Sequence, residues 1–318
     1  LAIFALLDFH PSITLIGAAV IGMIDALQRV TRIVVIKQYF SVNEVKFTIP
    51  LTLTAQFIAG GLAGAVLAFF PGQVTSFIAT MATTLLFALA CLGSTALPPR
   101  PPQPTTAVGQ ARSINRFLQL VRNNKELRNS LVNFVLLSAF FQGFYSISRV
   151  VLPAHHLGLS QHHVGLLQIV ASSAALGGAL FFYFFSKKKL SFRPPWLYAG
   201  CATAMLGSCL VPSPIESFTL YFVYFFIFEL AFFRLQADIV AASPSSEMPL
   251  IATTQYALVY TGMMAAIFVS AYVVKSFGLT AAALTLLAGF VLFHLLFWFF
   301  ARRSAIDPKE ADTSQEST

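Results

Sequence analysis

Long apolar runs separated by short polar breaks dominate the chain. Nine of them read as membrane-spanning helices, at 13–36, 48–70, 74–97, 131–153, 162–186, 195–212, 217–240, 251–275 and 279–301. At 1.5 Å rise per residue, about 20 apolar residues match a hydrocarbon core of ~30 Å. Many prolines stand at the ends of these runs, where a missing backbone N–H is tolerated. Residues 1–8 (LAIFALLD) read as the tail of a tenth run, so the sequence is expected to start inside a longer protein.

One long polar connection, 98–130, interrupts the pattern. It opens with PPRPPQP, a stiff polyproline-type spacer. In the following SINRFLQLVRNNKELRN, Ile114, Phe117, Leu118 and Val121 recur at helical spacing, with Arg112, Arg116, Arg122, Lys125 and Arg128 between them. An interfacial amphipathic helix and a solvated linker helix both fit this stretch. The last residues, 304–318, are polar and acidic and read as a disordered tail.

Composition narrows the class. The 318 residues are 57% hydrophobic and 10% charged, with a mean hydropathy of +0.76. Soluble domains carry about 25% charged residues. This chain has too few to coat a water-facing surface, which excludes a soluble globular enzyme. The net charge of +8 lies in the breaks, not on a folded face, so it sets membrane orientation and gives no nucleic-acid footprint. The 98–130 connection holds six Lys and Arg against one acid, Glu126. The break after 162–186 reads SKKKLSFR and the last span ends in ARR. Even numbers of spans separate these three segments, so all fall on one side. The opposite breaks (HHLGLSQHH, VPSPIES, PGQ and DFHP) contain no Lys or Arg. The basic breaks and the C-terminus are therefore expected in the cytoplasm, in an all-α polytopic membrane protein. Cys91, Cys201 and Cys209 all fall in apolar runs, with no disulfide or metal-thiolate spacing. No Walker-type phosphate loop, HExxH or GxSxG occurs, so neither a cofactor nor an enzymatic activity is expected.

Six spans follow the central connection and three and a fraction precede it. RFLQLVRNNKELRNSLV and QADIVAASPSSEMPLIATTQYALVYTGMMAA complete the pattern. In this layout the chain resembles the major facilitator superfamily, whose members carry six plus six helices around a basic cytoplasmic loop. The first segment is similar to that family's lead-in to helix seven. The second is similar to its passage from helix ten to helix eleven in the drug and siderophore exporters. The resemblance implies that 1–97 is the end of helix three to helix six, missing about two and a half helices. It makes 98–130 the linker, 131–303 helices seven to twelve and 304–318 the tail. The family's basic loop between helices two and three carries an Asp. The equivalent second-half segment here, GGALFFYFFSKKKLSFR, has none.

Charges inside apolar helices are costly and mark functional sites by default. Numbered by the resemblance, Asp25, Arg29 and Arg32 fall on helix four, Arg149 on helix seven, and Glu229, Arg234 and Asp238 on helix ten. The resemblance makes helices one, four, seven and ten the lining of a central cavity. Asp25, Arg29 and Arg32 are spaced i, i+4, i+7 and share one face. They read either as a substrate- or proton-responsive cluster or as an ion pair joining helices. Glu229 lies mid-helix in FFIFELAFF with no base at i+3 or i+4. With Asp25 it is a candidate proton carrier; the alternative is a protonated Glu bonded to a neighbouring helix. Gln142, Tyr145 and Arg149 form a polar stripe on an aromatic helix, suited with Arg29 and Arg32 to an amphipathic organic anion. Arg149 alternatively reaches the outer headgroups. Arg234 and Asp238, at i, i+4, read as a gate or structural pair.

His155, His156, His162 and His163 crowd one outer break, read as a polar loop in preference to a metal site, and His294 reads as packing. Gly60 and Gly64 on helix five, and Ser173, Gly177 and Gly178 on helix eight, are small faces for close helix approach. The expectation is a monomeric, proton-coupled exporter of a siderophore or drug-like anion. An importer of a metabolite, a non-transporting receptor or scaffold, and an integral membrane enzyme are the competitors.

Overall fold

The computed structural model describes residues 11–70, 81, 82, 84, 85, 88, 89, 92, 110–187 and 194–306. The expected span 74–97, with Cys91, and the disordered tail lie largely or wholly outside the described residues, as do residues 1–8 and most of SKKKLSFR. Every regular element described is helical. Helix α1 runs over Pro11–Tyr39 and α2 over Val42–Phe69. The linker helix α3 spans Gln110–Asn123, and α4 spans Lys125–Leu137. A π turn at Ser138–Gln142 leads into α5, Gly143–Val151, and a second π turn covers Leu152–His156. Then come α6 (Gln161–Lys187), α7 (Pro194–Leu210) and α8 (Pro214–Ala242). A short 3-10 turn at Ser245–Glu247 precedes α9, Met248–Ile306.

Five helical runs are long and apolar enough to cross a membrane: Phe47–Phe69, Lys125–His156, Gln161–Ser186, Pro214–Ala242 and Ser245–Phe299. The chain is a membrane-embedded helical bundle. The last run, if straight, would reach about 80 Å at 1.5 Å per residue, more than twice the hydrocarbon core. It breaks at Gly278, whose φ of 84° and ψ of 176° only glycine adopts without strain, giving two arms. The expected spans 251–275 and 279–301 lie on these two arms. Helices α1 and α7 are also present over the expected 13–36 and 195–212. Neither is among the five; α7 has only 17 residues.

The span expected at 131–153 begins earlier. Asn124 caps it, its side chain accepting from the Leu127 N–H at 3.0 Å, so residues 125–130 join the helix and leave the linker. The linker helix α3 buries Phe117, while Ile114 and Leu118 are 60% and 57% exposed. Arg116 donates from Nη2 and Nε to Glu247 Oε1 at 2.8 and 3.0 Å, pinning α3 to the turn before α9.

Helix α2, before the linker, packs closely along α6, after it. The small faces differ from expectation. Gly60 and Gly64 do meet α6, but through Gly165, Gln168 and Ser172. A Cβ at Gly165 would stand 2.5 Å from the Ala68 amide nitrogen, so backbone lies on backbone. Gly177 and Gly178 face Phe226 and Glu229 on α8 instead, and Ser173 is exposed. The reason is angular: 165, 168 and 172 recur at three and four residues on one stripe, and 177 and 178 fall on another.

The C-terminus of α8 is held from three sides. Lys37 Nζ donates to the Val240 carbonyl at 2.6 Å, Asn124 Nδ2 to the Ala242 carbonyl at 3.1 Å and Ser243 Oγ to the Ile239 carbonyl at 2.6 Å. The Lys37 and Asn124 bonds reach carbonyls at the helix end, where intrahelical partners run out, and the Ile239 carbonyl also accepts from the Ser243 N–H at 3.0 Å. This basic end of the bundle, with α3 lying across it, is therefore closed by contacts between both sides of the linker.

Candidate functional site

A cavity of about 320 Å³ opens among α1, α2, α5, α6 and α8. Its walls include Arg29 from α1, Gln56 and Phe57 from α2, Gln142 from the first π turn and Tyr145 and Arg149 from α5. Gln168 and Ser172 of α6 and Phe225, Phe228 and Glu229 of α8 complete them. The volume falls in the range that holds a small organic ligand.

The polar stripe on α5 is set by the π turn just before it. An extra residue in that turn re-aims the helix, so Gln142, Tyr145 and Arg149 reach one cavity. Within the turn, the Phe141 carbonyl accepts from Tyr224 Oη at 2.5 Å. The Tyr145 ring stacks on Phe225 at 4.4 Å between centroids, and its hydroxyl donates to Gln168 Oε1 at 3.2 Å. Arg149 is exposed, with its guanidinium 5.8 Å from the Tyr145 ring centre. A cation over an aromatic face, beside stacked rings, offers both charge and flat apolar area.

Glu229 is 6% exposed, and no ion pair reaches it among the described residues. Its Cβ would lie 3.0 Å from a Cβ at Gly178, so the glycine lets α6 and α8 close around the carboxylate. Asp25 is not on the cavity wall. Its Oδ2 accepts from Arg29 Nε at 2.8 Å and from the Tyr260 hydroxyl at 2.7 Å. Arg32 lies close to Tyr256, one helical turn from Tyr260. Arg234 and Asp238 form a looser pair at 3.8 Å, near Tyr198.

The structure thus brings Arg29, Gln142, Tyr145, Arg149 and Glu229 together. Asp25 and Arg32 stand behind them, against α9, and Arg234 and Asp238 lie elsewhere on α8. Sequence reasoning missed Tyr256 and Tyr260, although two tyrosines one turn apart in an apolar helix were a usable signal. It also missed Gln56 and Gln168, lone amides in apolar spans. The histidines do not converge. His162 Nδ1 donates to the Ala68 carbonyl, His156 Nε2 bonds the Cys209 carbonyl at 2.8 Å and His163 bonds Ser160 at 3.0 Å. No metal-binding group of three or more such residues occurs among the described residues. His294 lies against Tyr198 and Phe290.

A polytopic helical membrane protein with a polar, aromatic cavity is the class these features define. The chain matches no protein-family model and no curated protein.

Proposed function

We propose that the protein is a secondary transporter of the major facilitator type, moving a small amphipathic organic anion by alternating access. The observation that carries this reading is the cavity itself. Two arginines, one buried carboxylate and stacked aromatic rings converge there from helices on both sides of the basic linker. Charges so placed inside apolar helices are expensive to maintain without a task.

The residues divide the work by their chemistry. Arg29 and Arg149 attract the anion, while Tyr145, Phe225 and Phe228 hold its flat apolar part. Gln142 and Gln168 offer hydrogen bonds that fix its orientation. Glu229 carries the proton: it is protonated while the cavity is empty and ionised while the anion is bound, so that a proton enters on the return of the empty carrier for each anion carried out. The closed basic end is one of the two states that the mechanism requires. Transport runs outward, across a bacterial inner membrane, with the basic linker and C-terminus in the cytoplasm. A monomer suffices, and neither cofactor nor nucleic acid takes part.

The test is extracellular accumulation of catecholate and carboxylate siderophores and of amphipathic dyes, in cells stripped of their own exporters. Wild type is expected to accumulate one class, and an uncoupler or Glu229→Gln should return accumulation to background. Accumulation that survives both changes refutes proton coupling through Glu229. Uptake in place of export would make the protein an importer.

A further inference from the structure

We propose that Tyr260 is a positioning residue that ties the charge on Asp25 to the closure of the basic end. The inference rests on the transporter reading for its purpose, but its geometry stands apart from it. Tyr260 and Asp25 are 235 positions apart and lie on opposite sides of the linker. Their hydrogen bond is therefore a contact between the two parts of the chain that must separate if the basic end opens.

Three features make this contact more than packing. Tyr260 and Arg29 both donate to the same carboxylate oxygen, Oδ2. Arg29 also lines the cavity, while Asp25 does not. An anion in the cavity thus meets the guanidinium and draws it away from Asp25. The carboxylate is then left with Tyr260, and with Arg32 one turn further on. A hydrogen bond to a charged acceptor is about twice as strong as one between neutral groups. The strength of the Tyr260 bond therefore follows the charge that Asp25 carries.

The seam continues toward the basic end. Arg32 meets Tyr256, and Lys37 then reaches the Val240 carbonyl. Beside it, Gln255 Nε2 donates to Gln236 Oε1 at 2.8 Å, with the two residues 0% and 1% exposed. Gln236 Nε2 and Gln255 Oε1 are left buried without partners. Buried unpaired amide groups are costly, so this region gains by opening to water once the flanking bonds loosen. The groups facing Asp25 are Arg29 and Arg32 on its own helix and Tyr256 and Tyr260 on α9. Glu229 of α8 stands across the cavity beside Arg29.

The closure is read directly at Ala237, which is 1% exposed and less than one turn before Val240. A single cysteine there, with Cys91, Cys201 and Cys209 replaced by alanine, is labelled by a water-soluble maleimide in lipid nanodiscs. Tyr260→Phe removes only the hydroxyl. It should raise the labelling rate about fivefold or more, the effect of losing one net hydrogen bond. Asp25→Asn should act likewise, and the double variant no further than the stronger single one, because both break one contact. A cysteine at Ala282, also 1% exposed but four residues past the Gly278 break at the other end of the bundle, should keep its rate. A wild-type rate in Tyr260→Phe overturns the proposal, as does equal loosening at Ala282. A raised rate at Ala237 in a protein that moves no substrate leaves the clasp standing and sinks the transporter reading.

Discussion

Gly165→Ala adds one carbon where the structure has no room for it. The new Cβ would stand 2.5 Å from the Ala68 nitrogen, 2.8 Å from the Ala68 Cα and 2.8 Å from the Gly64 carbonyl oxygen. Carbon contacts settle at about 3.5–4.0 Å, so α2 and α6 must part locally by ~1 Å. All three obstacles are backbone, and no side-chain rotation relieves them. Overpacking of this kind costs about 1–3 kcal/mol, a shift of roughly fivefold to 150-fold in the folding equilibrium. The assay is unfolding of the purified protein in lipid-detergent micelles, by heat and by denaturing detergent. Three further glycines set a scale. At Gly64 the nearest atoms are the Gln168 Cβ and Cγ and the Gly165 carbonyl oxygen, each at 3.0 Å. At Gly60 the obstacle is the Ser172 hydroxyl at 2.9 Å, the mobile end of a side chain. Nothing lies within 4 Å of Gly22, where alanine should help by about 0.5–1 kcal/mol through helix propensity. The order of loss should be Gly165, Gly64, Gly60, with Gly22 gaining. A Gly165→Ala protein as stable as wild type would refute the close approach of α2 and α6.

Two other outcomes follow from single contacts. Tyr224→Phe removes a buried hydrogen bond to the Phe141 carbonyl; unfolding should show a loss of about 0.5–1.5 kcal/mol. Glu44 lies before the span Phe47–Phe69, and the Ser41 N–H and hydroxyl donate to its Oε2 at 2.9 and 2.8 Å. These bonds hold its carboxyl below the usual range, so its contribution is present above about pH 4.5 and fades as pH falls through the lower folded value. Glu44→Gln should remove that acid-side loss, read as a melting-temperature difference from wild type that shrinks on acidification.

The lesson from comparing sequence with structure differs between fold and site. The apolar runs could be read from order alone, because spanning a membrane is a local demand on length and hydropathy. The break at Gly278 follows from the same demand, since a single run of that length cannot fit one crossing. The pairing of Asp25 with Arg29 was legible too, because i, i+4 residues meet on any helix. Glu229 stood out because a carboxylate is rare in FFIFELAFF.

Other features were decided only by tertiary structure. The spacing on α6 offered two small stripes, and packing chose Gly165, Gln168 and Ser172 for α2 and gave Gly177 and Gly178 to α8. Tyr260 sits 235 positions from Asp25, and nothing local to either residue names the other. The π turn at Ser138–Gln142 shifted which residues of the following helix share a face, and no strong local signal marks such a turn. Helical period determines which residues of one helix stand together. Which face meets which neighbour depends on crossing geometry and contact between backbones, and those belong to the assembled bundle.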